Sequence, residues 1–202
     1  MKSRTTRAEQ REETRERILA AARDAFSELG FKAASTRDIA ARANTTQGLI
    51  TYHFRTKEEL WKAAVGGIFE LLEQKLGARL ASIQEKDPRE FAREVIREYV
   101  RFTAAHPELF RLMVEQGKHD DARTRWLVKT HLRPMYENVF RDGLWAGKRN
   151  VALAPHLHYA LAGAGSLPFA IAPEVRRLWG LEPSKKDFVE AHADVVAELL
   201  VP

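Results

Sequence analysis

The chain contains no cysteine, and this absence excludes several kinds of chemistry at once. Disulfide frameworks, thiol nucleophiles and thiolate metal sites all need a sulfhydryl group. A long apolar run is also missing, because the most apolar stretch, residues 159–173, contains Pro168 and is too short to cross a bilayer. The N-terminal segment is charged and lacks the apolar core of a secretory signal. We therefore expect a soluble, cytoplasmic protein that does not associate with membranes.

Recognisable catalytic motifs are absent as well. The sequence has no Gly-rich phosphate loop, no nucleophile elbow and no zincin-type metal-binding helix. His156 and His158 are two residues apart, so on a helix they would point in nearly opposite directions and could not share a metal ion. We therefore predict that the protein is not an enzyme and that it needs no cofactor and no metal.

Helical periodicity dominates what the sequence does contain. Apolar residues recur at the spacing of an amphipathic helix, few segments alternate with a period of two, and the first 87 residues contain no proline. The pattern predicts an all-α fold. About nine helices are expected, over residues 12–29, 37–43, 47–54, 57–84, 91–105, 107–116, 121–146, 155–172 and 184–200.

The net charge of +5 is unevenly distributed. Residues 32–57 contain five basic side chains and one acid, Asp38, and so carry +4 of that charge. Positive charge concentrated in one short segment is typical of a polyanion-binding surface, but a solvated basic face has the same composition. Charge alone leaves both interpretations open.

Two short helices separated by a tight turn at Asn44 and Thr45 lie in this basic segment. Ser35 or Thr36 is expected to cap the first helix, and Thr46 the second. This is the arrangement of a helix-turn-helix, whose second helix enters the major groove of DNA. Its apolar positions would form a small core: Phe26, Phe31, Ile39, Ala40, Ala43, Ile50, Phe54 and Leu60. Its outward positions include no acid that would repel phosphate: Thr45, Thr46, Gln47, Leu49, Thr51, Tyr52 and His53.

The run from Thr36 to Leu60, TRDIAARANTTQGLITYHFRTKEEL, resembles the DNA-binding signature of TetR-family regulators. That signature consists of Thr-x-x-Ile-Ala, a turn, Gly-x-Leu-Tyr-x-His-Phe and then Lys-x-x-Leu. The match continues upstream to Ile18 and covers about residues 18–60 with its spacings intact. The resemblance implies an N-terminal three-helix helix-turn-helix domain at 1–58 and a larger C-terminal helical domain for ligand binding and dimerisation at 59–202. Residues 1–11 would form a flexible basic arm, with Lys2, Arg4 and Arg7 able to reach the minor groove.

The resemblance also places ten residues at the DNA: Thr36, Arg37, Thr45, Thr46, Gln47, Gly48, Thr51, Tyr52, His53 and Lys57. Thr36, Thr46, His53 and Lys57 would contact phosphates. Arg37 and Gln47 would contact bases, since Arg suits guanine and Gln suits adenine. Tyr52 would pack on the DNA backbone.

Two departures from the family pattern bear on these roles. Thr51 replaces a tyrosine, so its phosphate contact is shortened, lost or taken over by Tyr52. Asn44 replaces a glycine, and Asn is the next best residue for a left-handed turn. Each role also has a structural alternative: the threonines as helix caps alone, His53 as a core or surface histidine, and the remaining side chains as solvated groups.

No comparable signature follows residue 62. Aromatic and Met side chains in helical bundles form both ordinary cores and ligand cavities. Six of them are the predicted effector-binding residues: Phe102, Phe110, Met113, Trp126, Tyr136 and Phe169. The last two predicted helices are the expected homodimer interface, with small residues at 160–165 on one helix and Val189, Val196, Leu199 and Leu200 on the other.

The predicted function is a ligand-responsive transcriptional regulator. It would most simply be a repressor that binds a palindromic, double-stranded DNA operator as a dimer and is released by a small, largely apolar effector. The alternatives are a helical nucleic-acid binder without effector control, or a carrier protein whose N-terminal domain does not bind DNA.

Overall fold

The computed structural model describes residues 6–82, 87–137 and 153–202, and within these residues the regular secondary structure is helical. The chain forms α1 (Arg7–Ala33), α2 (Thr36–Arg42), α3 (Gln47–His53), α4 (Lys57–Ser82), α5 (Pro88–Ala105), α6 (Pro107–Gly117), α7 (Ala122–Leu127), a π-helical segment (Val128–Leu132), α8 (Arg133–Met135), α9 (Ala154–Ala170), α10 (Ala172–Trp179) and α11 (Lys186–Leu200). The fold is all-α, with an N-terminal helix-turn-helix domain followed by a larger helical domain, as predicted. Helix α10 was not predicted.

Two compact units share the chain. The first ends at Ile68 and also includes Arg111–Lys118; the second consists of Phe69–Phe110 and His119–Pro202. The predicted domain boundary after residue 58 stays a prediction, and it falls within the first unit. The reason is that the first turns of α4 belong to the core of the first unit, where Trp61 is buried and meets the ring of Phe31 edge-on, with centroids 6.4 Å apart.

Helix α1 begins at Arg7, five residues before the predicted start. Thr6 and Glu9 form a capping box: the Glu9 backbone N–H donates to Thr6 Oγ1 (3.2 Å), and the Thr6 N–H donates to a Glu9 carboxylate oxygen (2.5 Å). This cap satisfies two of the free N–H groups at the helix start, so residues 7–11 are helical and do not form a flexible arm. Lys2 and Arg4 lie outside the described residues.

The other end of α1 is kinked at Gly30, which has φ +73°. The predicted helix ends at Leu29, whereas the observed helix resumes after the kink and continues to Ala33. A side chain at position 30 would be strained by the backbone and would also meet the Glu115 carboxylate at 2.9 Å. Gly30 is therefore needed mainly for its conformation, since the flexible Glu115 side chain could move away from an added Cβ atom.

In the second unit, α5 packs against α9 and α11. Gly165 in α9 allows this close approach, because a Cβ atom there would lie 3.1 Å from the Tyr99 ring. The Tyr99 hydroxyl shares a buried hydrogen bond with the Ser166 hydroxyl (3.1 Å), and Thr103 Oγ1 donates to the Gly165 carbonyl (2.9 Å). The contact of α5 with α9 is thus both close-packed and polar.

Proline distorts two helices in this unit. Pro168 lies inside α9 and has no N–H to donate to the carbonyl of Ala164, four residues earlier. The His192 side chain of α11 bonds to that carbonyl instead, through Nε2 at 2.8 Å. Pro134 was predicted to bend a long helix over residues 121–146; the chain there is divided into α7, the π-helical segment and α8. Residues 138–152, which include the rest of that predicted helix, lie outside the described residues, as do residues 83–86.

The helices described here include none with the length and apolar character needed to span a membrane.

Candidate nucleic-acid interface

Side-chain caps define where the two short helices α2 and α3 begin. Ser35 caps α2, because its hydroxyl accepts from the Asp38 N–H at 3.0 Å. Thr46 caps α3 by accepting from the Leu49 N–H at 3.3 Å, as predicted. Of the two candidates for the first cap, Ser35 is correct, and the Thr36 hydroxyl is available for another contact.

The turn between α2 and α3 depends on Asn44, which has φ +48°. The neighbouring Thr45 N–H donates to the Ala40 carbonyl at 2.9 Å and closes the turn. Asn tolerates the left-handed region better than other non-glycine residues, so it replaces the usual glycine without changing the geometry. The expectation for this departure is confirmed.

A compact core supports the turn. Seven of the eight predicted core residues are buried: Phe26, Ile39, Ala40, Ala43, Ile50, Phe54 and Leu60. Phe31 is half-buried and stacks on Phe26, with ring centroids 5.9 Å apart. Helix α3 packs against α2, and its buried Ile50 side chain keeps one side of the helix turned inward.

The other side of α3 is exposed. Tyr52 has 66% of its surface accessible and Leu49 has 42%, and Thr46, Gln47, Gly48 and Thr51 are also exposed. No acidic residue occurs in α3. An exposed helix face with hydrogen-bonding groups and no negative charge is suited to the major groove of DNA.

Gln47 and Thr36 are brought together by the turn. The Gln47 side-chain amide donates to Thr36 Oγ1 at 3.1 Å across eleven residues of sequence. This bond leaves the Gln47 carbonyl oxygen and one N–H for an outside partner. Arg37 lies next to this pair in sequence, is exposed, and forms no ion pair among the described residues.

The last three residues of α3 lie in three different environments: Thr51, Tyr52 and His53. The Thr51 hydroxyl donates to the Gln47 carbonyl of its own helix (3.1 Å), whereas the Tyr52 ring is exposed. This arrangement favours Tyr52 over Thr51 as the group that replaces the usual tyrosine contact. Partial burial lowers the pKa of the His53 imidazole, and the nearby charges of Arg11 and Arg15 lower that pKa further.

Lys57 begins α4 beside the interface. Its ammonium group donates to the Lys32 carbonyl at 3.3 Å and lies 4.7 Å from the centroid of the Phe31 ring. The lysine is half-buried and held in place by these two contacts. The ammonium group is thus already fixed in position before any phosphate approaches. This geometry is compatible with the predicted phosphate contact of Lys57.

Two arginines of α1 adjoin α3, and the predicted site does not include them. The Arg11 guanidinium lies 5.6 Å from the Tyr52 ring centroid, and that of Arg15 lies 5.8 Å from the Phe54 ring centroid. Their i, i+4 spacing places both on one face of α1. That spacing is visible in the sequence, but which face of α1 is turned toward α3 is not.

The six predicted effector-binding residues differ in how far they are buried. Phe102 and Phe169 are buried, whereas Phe110, Met113, Trp126 and Tyr136 are half-buried. Four of them each contact a different histidine: Phe102 with His106, Trp126 with His131, Tyr136 with His158 and Phe169 with His192. Neither of the two surface grooves found in the described chain is lined by any of the six. Their role stays a prediction.

One of these histidines, His131, lies in the π-helical segment and is buried. Its ring stacks on Phe69, with centroids 5.0 Å apart, and meets Trp126 edge-on. Burial lowers the pKa of His131, opposed by the carboxylates of Glu73 and Glu70, so the imidazole is neutral near pH 7. The sequence gives no sign that this residue is buried among aromatic rings, since a lone histidine has no distinguishing pattern.

Comparison with known proteins assigns the interface to a family. The model of the bacterial regulatory proteins of the tetR family matches residues 18–64, which contain α2, α3 and their supporting core. The HTH-type transcriptional repressor Rv3405c of Mycobacterium tuberculosis is 46% identical over 72 residues, 36% of this chain and 36% of its own length. The N-terminal part of the chain, residues 18–64, thus matches the TetR family. The aligned part thus spans about a third of the length of these curated relatives.

Solved structures extend the likeness to the rest of the chain. FadR from Bacillus subtilis, in complex with stearoyl-CoA, is 16% identical with a TM-score of 0.65, covering 92% of this chain and 97% of that one. AibR, in complex with isovaleryl coenzyme A and operator DNA, is 18% identical with a TM-score of 0.69, covering 94% of this chain and 98% of that one. At these identities the likeness shows a shared fold over more than nine tenths of this chain.

Proposed function

We propose that this TetR-family chain is a DNA-binding transcriptional regulator, acting in the cytoplasm as a repressor. The observation that carries the proposal is the exposed, acid-free face of α3, held outward by a buried core and capped by Thr46. Gln47 and Arg37 are the proposed base contacts. Thr36 would orient the Gln47 amide. The proposed contacts to the DNA backbone are Thr45, Thr46, Gly48, Tyr52, His53 and Lys57.

A homodimer that binds a palindromic operator is the proposed active form. One small helix-turn-helix offers few contacts, and two-fold pairing lets two of them bind half-sites together. Exposed apolar side chains on α9 and α11 support pairing through these helices: Tyr159, Leu167, Val195 and Leu199. The sequence pattern placed Gly165 and Val196 at the dimer interface. Both residues are instead buried within their own subunit.

Selection of bound duplexes from a random DNA pool by the purified protein tests the DNA-binding proposal. We expect an enriched inverted repeat whose half-sites are about 10 base pairs apart, centre to centre, or a multiple of that spacing. A monomer in solution together with enrichment of single half-sites would contradict the dimer. No enrichment at any salt concentration would contradict the proposed function itself.

The proposed effector is an acyl thioester of coenzyme A, a largely apolar chain joined to a phosphate-bearing group. Two proteins of the same fold have such ligands, stearoyl-CoA and isovaleryl coenzyme A. In the second unit, a groove of about 360 Å³ is lined by Thr124, Arg125, Val128, Lys129 and Arg133. Its three cations follow at i, i+4 and i+8 and would suit phosphate groups.

Effector control is tested by titrating the selected operator complex with isovaleryl-CoA and with stearoyl-CoA. We expect one of them to raise the dissociation constant for operator, while free coenzyme A and the free fatty acid leave it unchanged. Binding of an acyl-CoA without any change in operator affinity would contradict effector control. It would leave the DNA-binding assignment intact.

A further inference from the structure

Helix α1 has segregated charges, although acids and arginines alternate along its sequence. Arg7, Arg11 and Arg15 follow one another at i, i+4 and i+8 and so lie on one face. Beside that face lie Gln10, Thr14 and Arg17, which are separated from one another by four and three positions. The four acids are likewise related to one another by three or four residues and share the opposite face: Glu9, Glu12, Glu13 and Glu16. A uniformly solvated helix would not need to separate its charges in this way.

The arginine face of α1 is the one that adjoins α3. Arg11 and Arg15 lie over the rings of Tyr52 and Phe54, at the C-terminal end of α3 and just after it. The cationic surface of α1 therefore continues the exposed face of α3. The capping box at Thr6 and Glu9 keeps the first turn of this surface helical.

The three arginines differ in whether they already form ion pairs with carboxylates of the protein. Arg15 pairs with Glu12 (3.4 Å) and Glu16 (3.2 Å) at the edge of the acidic face. Arg7 and Arg11 are exposed, and neither forms an ion pair within the part of the chain that the structure describes. The guanidinium groups of Arg7 and Arg11 therefore have no carboxylate partner there, and they lie beside the acid-free face of α3. Such groups are suited to bind an anionic partner.

We propose that Arg7 and Arg11 bind phosphates of the same DNA duplex that α3 enters. A helix lying in the major groove is flanked by the two phosphate strands, and residues beside one end of that helix meet one of those strands. Tyr52 keeps the Arg11 guanidinium beside α3 through its ring face. The inference rests on the proposed DNA binding and adds a second contact surface to it.

Measurement of DNA affinity against salt concentration tests this proposal. The variant is Arg7→Ala/Arg11→Ala in the full chain, with both the selected operator and an unrelated duplex as ligands. Because each neutralised phosphate contributes about 0.9 to the slope of log K against log salt, we expect the slope to fall by about two per bound subunit. Affinity should fall about threefold to fivefold per arginine for both duplexes, with the preferred sequence unchanged.

Two further variants separate local contact from global charge and from folding. Lys185→Ala/Lys186→Ala removes the same net charge at exposed positions near the start of α11 and should leave the slope unchanged. Arg7→Lys/Arg11→Lys keeps both charges and should retain most of the wild-type slope. An unchanged slope in the alanine variant, or an equal fall in the Lys185/Lys186 control, would overturn the proposal. Failure of the wild-type protein to bind any duplex would instead overturn the proposed function on which it rests.

Discussion

Replacement of His192 by leucine is expected to lower the free energy of unfolding by about 1 to 3 kcal/mol, the usual range for an internal acceptor left without its donor. The reason is the proline in α9. Because Pro168 has no N–H, the Ala164 carbonyl lacks its usual i+4 donor, and the His192 side chain bonds to it at 2.8 Å. Leucine would retain much of the packing against Phe169 but could not donate a hydrogen bond.

A double-mutant cycle distinguishes this explanation from lost packing. Pro168→Ala restores an N–H four residues after Ala164, so in that background the His192→Leu change should cost less. The two substitutions should therefore couple, with an interaction free energy of about 0.5 kcal/mol or more. Urea unfolding, followed by far-UV circular dichroism, measures all four proteins. Strict additivity would mean that the histidine acts only by packing.

Removal of the Gln47 side chain is expected to have the largest effect on DNA recognition. A good bidentate contact between a side chain and a base contributes about 1 to 3 kcal/mol of discrimination, so Gln47→Ala should weaken operator binding about 5- to 150-fold for each half-site. The loss should be confined to sequences that carry the preferred base at one position of each half-site. Binding of unrelated DNA should change little, since phosphate contacts are retained.

Thr36 offers a sharper test of the same site. The Gln47 amide donates to the Thr36 hydroxyl at 3.1 Å, which orients the amide before DNA arrives. Thr36→Val removes that acceptor at nearly constant shape and should reduce discrimination at the position that Gln47 contacts, whereas Thr36→Ser should preserve it. A selection experiment with each variant gives the base preference directly. If Thr36→Val weakened all duplexes equally, Thr36 would be a phosphate contact and not a positioning residue.

Much of the helix-turn-helix could be predicted because its signals are local. Thr46 caps α3 through a residue three positions away, and Asn44 accepts a left-handed turn by its own side-chain chemistry. The early start of α1 was local too: the Thr6-x-x-Glu9 capping box is written in the sequence, although the expected helix began only where the apolar pattern strengthens.

The arrangement of the second unit could be predicted only in outline. Periodicity indicates that α9 and α11 are helices, but it does not say whether a small residue faces a neighbouring helix or solvent. Gly165 and Val196 turned out to face their own subunit, while Tyr159 and Val195 are exposed. Aromatic residues expected to share a cavity contact different histidines, since composition contains no information about distance.

The sequence by itself determined the helical class, the N-terminal match to the TetR family and the outward chemistry of α3, because capping, periodicity and turn preference act over three or four residues. Tertiary structure alone decided which face of α1 adjoins α3, that Gln47 bonds to Thr36, and that His192 serves a carbonyl 28 residues away. The physical reason is range: these contacts depend on how whole helices are oriented by their buried cores. No local preference of the residues involved encodes that orientation.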